Sequence, residues 1–170
     1  ATNSFAAYLR QLPLQPEGSK VLLYNGETKF NQLAAYAVVD LDIGKRDLQQ
    51  CADAVIRLRA EYLYGQKQYA AIHFNFTNGF NAEYTKWAKG NRIRVNGNTV
   101  SWYPSKDEDY SYKTFRSYLD MVFSYAGTAS LSKELAPVNY QNMKIGDVFI
   151  QGGHPGHAVI VVDMAVHPKT

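Results

Sequence analysis

The chain has 170 residues, of which 46% are hydrophobic and 19% are charged, and its net charge is +3. These values predict a globular protein, organised as a single domain over residues 1–170, that is large enough to bury a core. Its Lys and Arg residues are scattered without a basic block, which argues against nucleic-acid binding, and no run of about 18 apolar residues is present to cross a membrane.

The first fifty residues are predicted to form one short helix and two strands, because turn-forming residues separate their apolar runs. In chain order these are a helix after Ser4 that ends at Pro13, a strand Lys20–Tyr24, a turn at Asn25-Gly26 and a strand Ala34–Leu41. Asp40 and Asp42 end the second strand, where they can act as turn residues or line a cleft.

A long helix follows, with Asp47 as its predicted N-cap and Gln50 in the capping-box position. Apolar residues with helical spacing continue to Tyr62, and Gly65 ends the pattern. Cys51, the one cysteine of the chain, lies in the first turn, where unpaired N–H groups and the helix dipole favour a thiolate. Cys51 is therefore a candidate nucleophile, and a buried apolar position is the alternative.

The middle of the chain is predicted to alternate short strands with helices. In order these are a strand Ala70–Phe76, a turn Thr77–Gly79, a helix Asn81–Ala88, a hairpin of Arg92–Val95 with Thr99–Tyr103 around Asn96-Gly97, a long helix Ser111–Ala126 and a brief helix that reaches Leu135. Four aromatic side chains in this region are candidates to line a groove for peptide or glycan, namely Tyr84, Trp87, Trp102 and Tyr103.

Two apolar runs near the end, Val148–Ile150 and Ala158–Val162, flank a loop rich in Gly and Pro and predict an antiparallel pair of strands. The second run does not alternate, so we expect it to be covered on both faces. His157 stands at its first position, where a rigid sheet can orient a general base; a hydrogen bond to the loop backbone is the alternative. Gln151 and His154 are candidate substrate-binding residues. His154 and His157 are spaced to share a metal, but no third ligand is evident.

Two short segments resemble a known group of enzymes. Gly146-Asp147-Val148-Phe149 and Gly156-His157-Ala158-Val159-Ile160 are similar to the NlpC-type and CHAP-type cell-wall amidases, which are papain-like. The resemblance implies that Cys51 is the nucleophile, that His157 is the base and that the backbone N–H of Cys51 holds the oxyanion. The chain departs from that pattern at Gln50, where the amidases have Asp, and in the long insertion between Cys51 and His157.

A second resemblance covers nearly the whole chain. Its motifs, at residues 46–55, 74–80 and 145–153, are Arg-Asp-Leu-Gln-Gln-Cys-Ala-Asp-Ala-Val, Phe-Asn-Phe-Thr-Asn-Gly-Phe and Ile-Gly-Asp-Val-Phe-Ile-Gln-Gly-Gly, and they resemble the family called domain of unknown function 4846. This resemblance implies a bacterial, exported protein that continues beyond Thr170. We therefore expect its final strands to be missing, no polar group after the His157 strand to orient the imidazole, and the edge of that strand to be exposed or paired with another chain.

These observations predict a papain-like α+β domain in which an antiparallel or mixed sheet packs on the Cys51 helix, with an inserted helical and hairpin region. The predicted function is a cysteine amidase or peptidase of the cell envelope, without metal or cofactor, that acts on cell-wall peptide or a related amide. The alternatives are a catalytically silent domain of the same fold that binds peptide or glycan, and a structural partner-binding protein.

Overall fold

The computed structural model describes residues 3–165 and 167 and has a mixed α+β fold, as the sequence predicts. The helices are α1 (Phe5–Arg10), α2 (Cys51–Gly65), α3 (Tyr84–Ala88), α4 (Tyr112–Tyr125) and α5 (Thr128–Glu134). The strands are β1 (His73–Asn75), β2 (Asn81–Glu83), β3 (Asn91–Asn96), β4 (Thr99–Pro104), β5 (Val148–Gln151) and β6 (His157–Ile160). Within the described residues, no helix is both long and apolar enough to cross a bilayer. We predict that no polar group after the His157 strand orients the imidazole. This prediction falls mainly on residues 166–170, most of which lie outside the described residues.

Helices α2 and α4 together supply half of the buried residues of the hydrophobic core. Helix α4 begins where predicted, because Ser111 Oγ accepts a hydrogen bond from the Thr114 N–H at 3.3 Å. Its predicted inward face is buried, with Phe115, Tyr118, Leu119, Val122 and Phe123 all in the core. Tyr64 of α2 stacks on Phe115 with ring centroids 4.3 Å apart. The two helical periodicities in the sequence therefore meet in one core.

Tertiary pairing shortens the predicted helix Asn81–Ala88. Residues 81–83 instead form β2, which pairs antiparallel with β1 and places Phe74 opposite Ala82. Both of these residues are buried, so the pairing buries apolar surface that a helical start at Asn81 would not. Helix α3 begins only at Tyr84. The hairpin of β3 and β4 is confirmed, with the predicted Asn96-Gly97 turn between its strands.

The two strands predicted in the first fifty residues are wrong. Residues 11–50 are irregular, and the only ladder contacts there are single bridges, Leu22 to Thr28 and Leu14 to Val39. The turn at Asn25-Gly26 is present. Apolar, β-branched runs form strands only when a neighbouring strand and a core lie beside them, and here Phe30 and Tyr36 are fully exposed.

Strands β5 and β6 form an antiparallel pair that packs on α2 by one face. Phe149 lies opposite Val159, and Ile150 lies opposite Ala158. Ala158 is buried in the core, whereas Phe149 and Val159 are 56% and 47% exposed. The prediction that Ala158–Val162 is covered on both faces is therefore wrong. Coverage alternates because successive side chains of a strand point to opposite faces.

We expect Tyr118→Phe to lower the free energy of unfolding by about 1–2 kcal/mol, because the buried Tyr118 hydroxyl donates a 2.7 Å hydrogen bond to the Ala82 carbonyl. Tyr84→Phe is the matched control, since Tyr84 is equally buried but its hydroxyl has no partner. That variant should be neutral within about 0.5 kcal/mol or slightly stabilised. Urea unfolding measures both, and equal losses in the two variants would contradict this assignment.

Candidate active site

Helix α2 begins at Cys51, four residues later than the predicted cap at Asp47. Gln50 is the N-cap, and its backbone N–H donates a 3.1 Å hydrogen bond to Oδ2 of Asp53. Gln49 has a φ of 66°, a left-handed conformation that a helix starting at Asp47 cannot accommodate. The cap prediction failed because the pair that closes the first turn is Gln50 with Asp53, and not Asp47 with Gln50. Cys51 is consequently the first helical residue, and its N–H has no acceptor within the helix.

Arg57 fixes the segment that leads into α2. This residue is buried, and its Nη1 donates to the backbone carbonyl of Asp42 and to Oε1 of Gln49. Its Nε lies 3.4 Å from Oε1 of Glu61, one turn further along the helix. Asp40 and Asp42 line a cleft of about 540 Å³ beside Arg57, separate from the cleft at Cys51. Neither acid therefore orients an imidazole at Cys51.

The loop between β5 and β6 packs against the first turns of α5. Thr128 Oγ1 donates a 3.2 Å hydrogen bond to the Gly153 carbonyl. A Cβ atom on Gly156 would clash with the Thr128 side chain, and one on Gly152 would clash with Ser132. Glycine at these two positions thus permits the close approach of the loop to the helix. The result is a loop whose position is set by α5.

This loop and the start of α2 enclose a cleft of about 410 Å³, hereafter the Cys51 cleft. Both Cys51 and His154 line it, the former half-buried and the latter exposed. The lining residues are Asp47, Leu48, Gln50, Cys51, Ala52, Asp53, Phe123, Ala126, Gly127, Thr128, Gly153, His154, Pro155 and Gly156. The structure therefore brings together the predicted nucleophile and one of the two candidate imidazoles.

His157 and Gln151 are opposite each other at the end of the β5–β6 pair that adjoins its connecting loop. Strand alternation places both on the face that carries the exposed Phe149 and Val159, while Ala158 faces the core and α2. Neither residue lines the Cys51 cleft. In the described part of the chain, the Cys51 sulfur makes no hydrogen bond to an imidazole, so the Cys51–His157 pair stays a prediction. Of the two candidate histidines, His154 lines the Cys51 cleft and His157 does not.

The predicted aromatic groove does not form from all four candidate rings. Tyr84 and Trp87 are core residues, so the prediction that they contact substrate is wrong: their rings are needed to fill the space between α3 and α4. Trp102 packs beside Phe80, and Tyr103 lies under the Arg94 guanidinium at 4.8 Å. Neither of these half-buried rings lines the Cys51 cleft.

Asp53 and Thr128 are site residues that the sequence interpretation missed. The position of Asp53 in the first turn after a candidate nucleophile was a usable signal, since first-turn acids cap helices. Thr128 carried no such signal, because its role depends on the loop that packs against it. Among the described residues, no group of three or more His, Cys, Asp or Glu side chains is placed to hold a metal ion.

Asp53 is a buried carboxyl group of the cleft lining whose hydrogen bonding is incomplete. It is only 8% exposed, its Oδ2 accepts the Gln50 N–H, and its Oδ1 is buried without any partner. Burial raises the pKa of this carboxyl from 3.8 to about 6, although the backbone N–H groups of Gln50 and Gln49 oppose the shift. At neutral pH the cleft therefore contains a desolvated negative charge next to Cys51.

The raised pKa makes stability depend on pH with a definite sign. Between about pH 4 and pH 6, Asp53 is protonated in the folded chain and ionised in the unfolded chain, so its contribution to stability falls as pH rises. We expect the free energy of unfolding of the wild type, relative to Asp53→Asn, to fall by about 2–3 kcal/mol over this interval. Denaturant titrations across pH measure the difference, with the exposed Asp107→Asn as control. A pH-independent difference would refute the assignment.

Comparison with known proteins gives a family without an assigned activity. No curated protein and no solved structure matches the chain. The model of the family described as domain of unknown function 4846 matches residues 1–170, which is the resemblance that the three sequence motifs predicted. The chain belongs to the domain of unknown function 4846 family.

Proposed function

We propose that this chain is a cysteine hydrolase of peptide-type amides, with Cys51 as the nucleophile. The observation that carries the proposal is the Cys51 cleft itself. It combines the one thiol of the sequence, at the start of a fifteen-residue helix, with an imidazole on a loop fixed by α5. A helix N-terminus favours a thiolate, and a nearby imidazole supplies the base that such a nucleophile needs.

His154 is the base that the geometry favours. It lines the same cleft as Cys51, and its loop is tied to α5 through Thr128 and Gly153. His157, the base implied by the resemblance to cell-wall amidases, lies on the outer face of β6. The mechanism can therefore use either His154 or His157 as the general base, and substitution of each histidine in turn distinguishes the two possibilities.

The chemistry proceeds in two acyl transfers. His154 takes the thiol proton as the Cys51 sulfur attacks the carbonyl carbon, and the backbone N–H of Cys51 donates to the developing oxyanion. The imidazolium then protonates the amide nitrogen as the C–N bond breaks, which leaves a thioester on Cys51 and releases an amine. Water attacks the thioester and His154 accepts its proton; the acid is released as the C–S bond breaks, and the imidazolium returns that proton to the Cys51 sulfur.

Two observations support the proposed substrate class, namely the openness of the cleft and the local resemblance to cell-wall amidases. The open cleft between α2 and the loop admits a chain that enters from solvent, as a peptide would. The local resemblance to NlpC-type and CHAP-type amidases supports cell-wall peptide, and with it export to the cell envelope. Pairing of another chain with the β5–β6 edge belongs to the same proposal, because these strands pair only with each other in the described part of the chain.

One observation favours a second candidate, a catalytically silent domain that binds peptide in the same cleft. Cys51 has no hydrogen bond to an imidazole in the described residues, whereas an assembled nucleophile and base are expected within hydrogen-bond reach. A binding domain needs the cleft and its polar groups but not that contact.

Alkylation of Cys51 by iodoacetamide separates the two candidates. The enzyme proposal predicts fast alkylation at pH 7, a decrease of about tenfold in His154→Gln, and a change of less than about twofold in His157→Gln. Cys51→Ser identifies the modified site. Slow alkylation that neither histidine affects would leave the binding domain as the better account, and a decrease confined to His157→Gln would restore the base implied by the amidase resemblance.

A further inference from the structure

The Cys51 cleft is acidic, although the chain as a whole is basic. Two carboxylates line it, those of Asp47 and Asp53, and the described residues that line it include no Lys or Arg. His154 is the one basic side chain among its lining residues. A cleft of this charge disfavours anionic ligands and attracts cationic ones.

Two basic side chains from the segment around Cys51 pair with groups outside the cleft lining or line another cleft. Arg46 Nη1 lies 3.7 Å from Oδ2 of Asp120, and Arg57 is held by Glu61 and Gln49. Both arginines line the neighbouring cleft that contains Asp40 and Asp42. Their charges are thus matched by carboxylates that do not line the Cys51 cleft.

Asp53 adds an independent indication of a ligand. Its side chain lines the cleft and is more than nine-tenths buried, yet its Oδ1 has no hydrogen-bond donor. Buried carboxylate oxygens are normally paired, because an unpaired one loses its hydration without compensation. The oxygen itself has no solvent-exposed surface, so an ammonium group in the cleft would supply counter-charge to the Asp53 carboxylate at a distance and not by contact with Oδ1. It would also offset the negative field that opposes a thiolate at Cys51.

We infer that the Cys51 cleft takes acyl donors that carry a protonated amine next to the scissile carbonyl, as the first residue of a peptide with a free N-terminus does. This inference rests on the proposed function, since it names the substrate class of the same nucleophile. Asp53 and Asp47 select the ammonium group, and Cys51 attacks the carbonyl one bond away from the carbon that bears it. N-terminal acylation of the substrate removes the charge and, with it, the selection.

Three methanethiosulfonate reagents of similar size test the inference directly: the cationic 2-aminoethyl, the anionic 2-sulfonatoethyl and the neutral methyl compound. The rate ratio of cationic to anionic reagent at Cys51, divided by the same ratio for 2-mercaptoethanol, is expected to be about tenfold or more at low salt. It should fall toward one at high salt. The neutral reagent measures thiol reactivity alone, so a slow neutral reaction counts against the proposed function while the charge ratio decides this inference.

Substitution assigns the selectivity to its source. Asp53→Asn keeps an acceptor for the Gln50 N–H and should reduce the charge ratio about threefold or more, whereas Asp107→Asn, outside the cleft, should leave it unchanged. If Asp53→Asn does not fold, Asp47→Asn together with the salt dependence of the wild type decides the question. A wild-type ratio equal to that of 2-mercaptoethanol, or one that the cleft substitutions do not lower, would overturn the inference.

Discussion

The start of helix α2 is fixed by two of its own side chains, and the site depends on that start. Asp53 holds the N–H of Gln50 from inside the first turn, and Arg57 holds the chain just before it through Gln49 and the Asp42 carbonyl. These contacts keep Gln49 in a left-handed conformation and place Cys51 at the first helical position. Loss of the hydrogen-bond partners of a buried charge such as Arg57 is strongly destabilising. The contacts of Arg57 are therefore kept in the folded chain, and they fix the position of Cys51.

The β5–β6 loop forms the other wall of the cleft, and close packing and a neutral hydrogen bond hold it in place. Two glycines let the β5–β6 loop lie directly on α5, and a threonine hydroxyl holds the loop carbonyl between them. The same arrangement places His154 in the lining of the Cys51 cleft. A rigid helix start and a loop fixed on a second helix thus face each other, which is the kind of support that a nucleophile and a base require. The buried charge of Asp53 would oppose a thiolate at Cys51, and this opposition is the physical reason for the cationic ligand that we infer.

The sequence predicted the parts of the fold that depend on local signals. Helix α4, with its Ser111 cap and its apolar stripe, and the hairpin at Asn96-Gly97 follow from residues that are neighbours along the chain. The segment 20–41 failed because strand formation needs partners that its sequence does not specify. At the site, the thiol near a helix start was predictable from the helical periodicity, although the capping residue was not. Which of His154 and His157 lines the Cys51 cleft was not predictable, since it depends on the pleat of β6 and on the packing of its loop against α5.

The central claim, that Cys51 is an acyl-accepting nucleophile served by His154, is tested most directly by trapping the covalent intermediate. The chain is incubated with p-nitrophenyl acetate at neutral pH, quenched in acid, and its peptides are analysed by mass spectrometry. The account predicts rapid acetylation of the peptide that contains Cys51, about tenfold slower acetylation in His154→Gln and none at position 51 in Cys51→Ser. Acetylation confined to lysines, or acetylation of Cys51 that proceeds equally fast without His154, would contradict it.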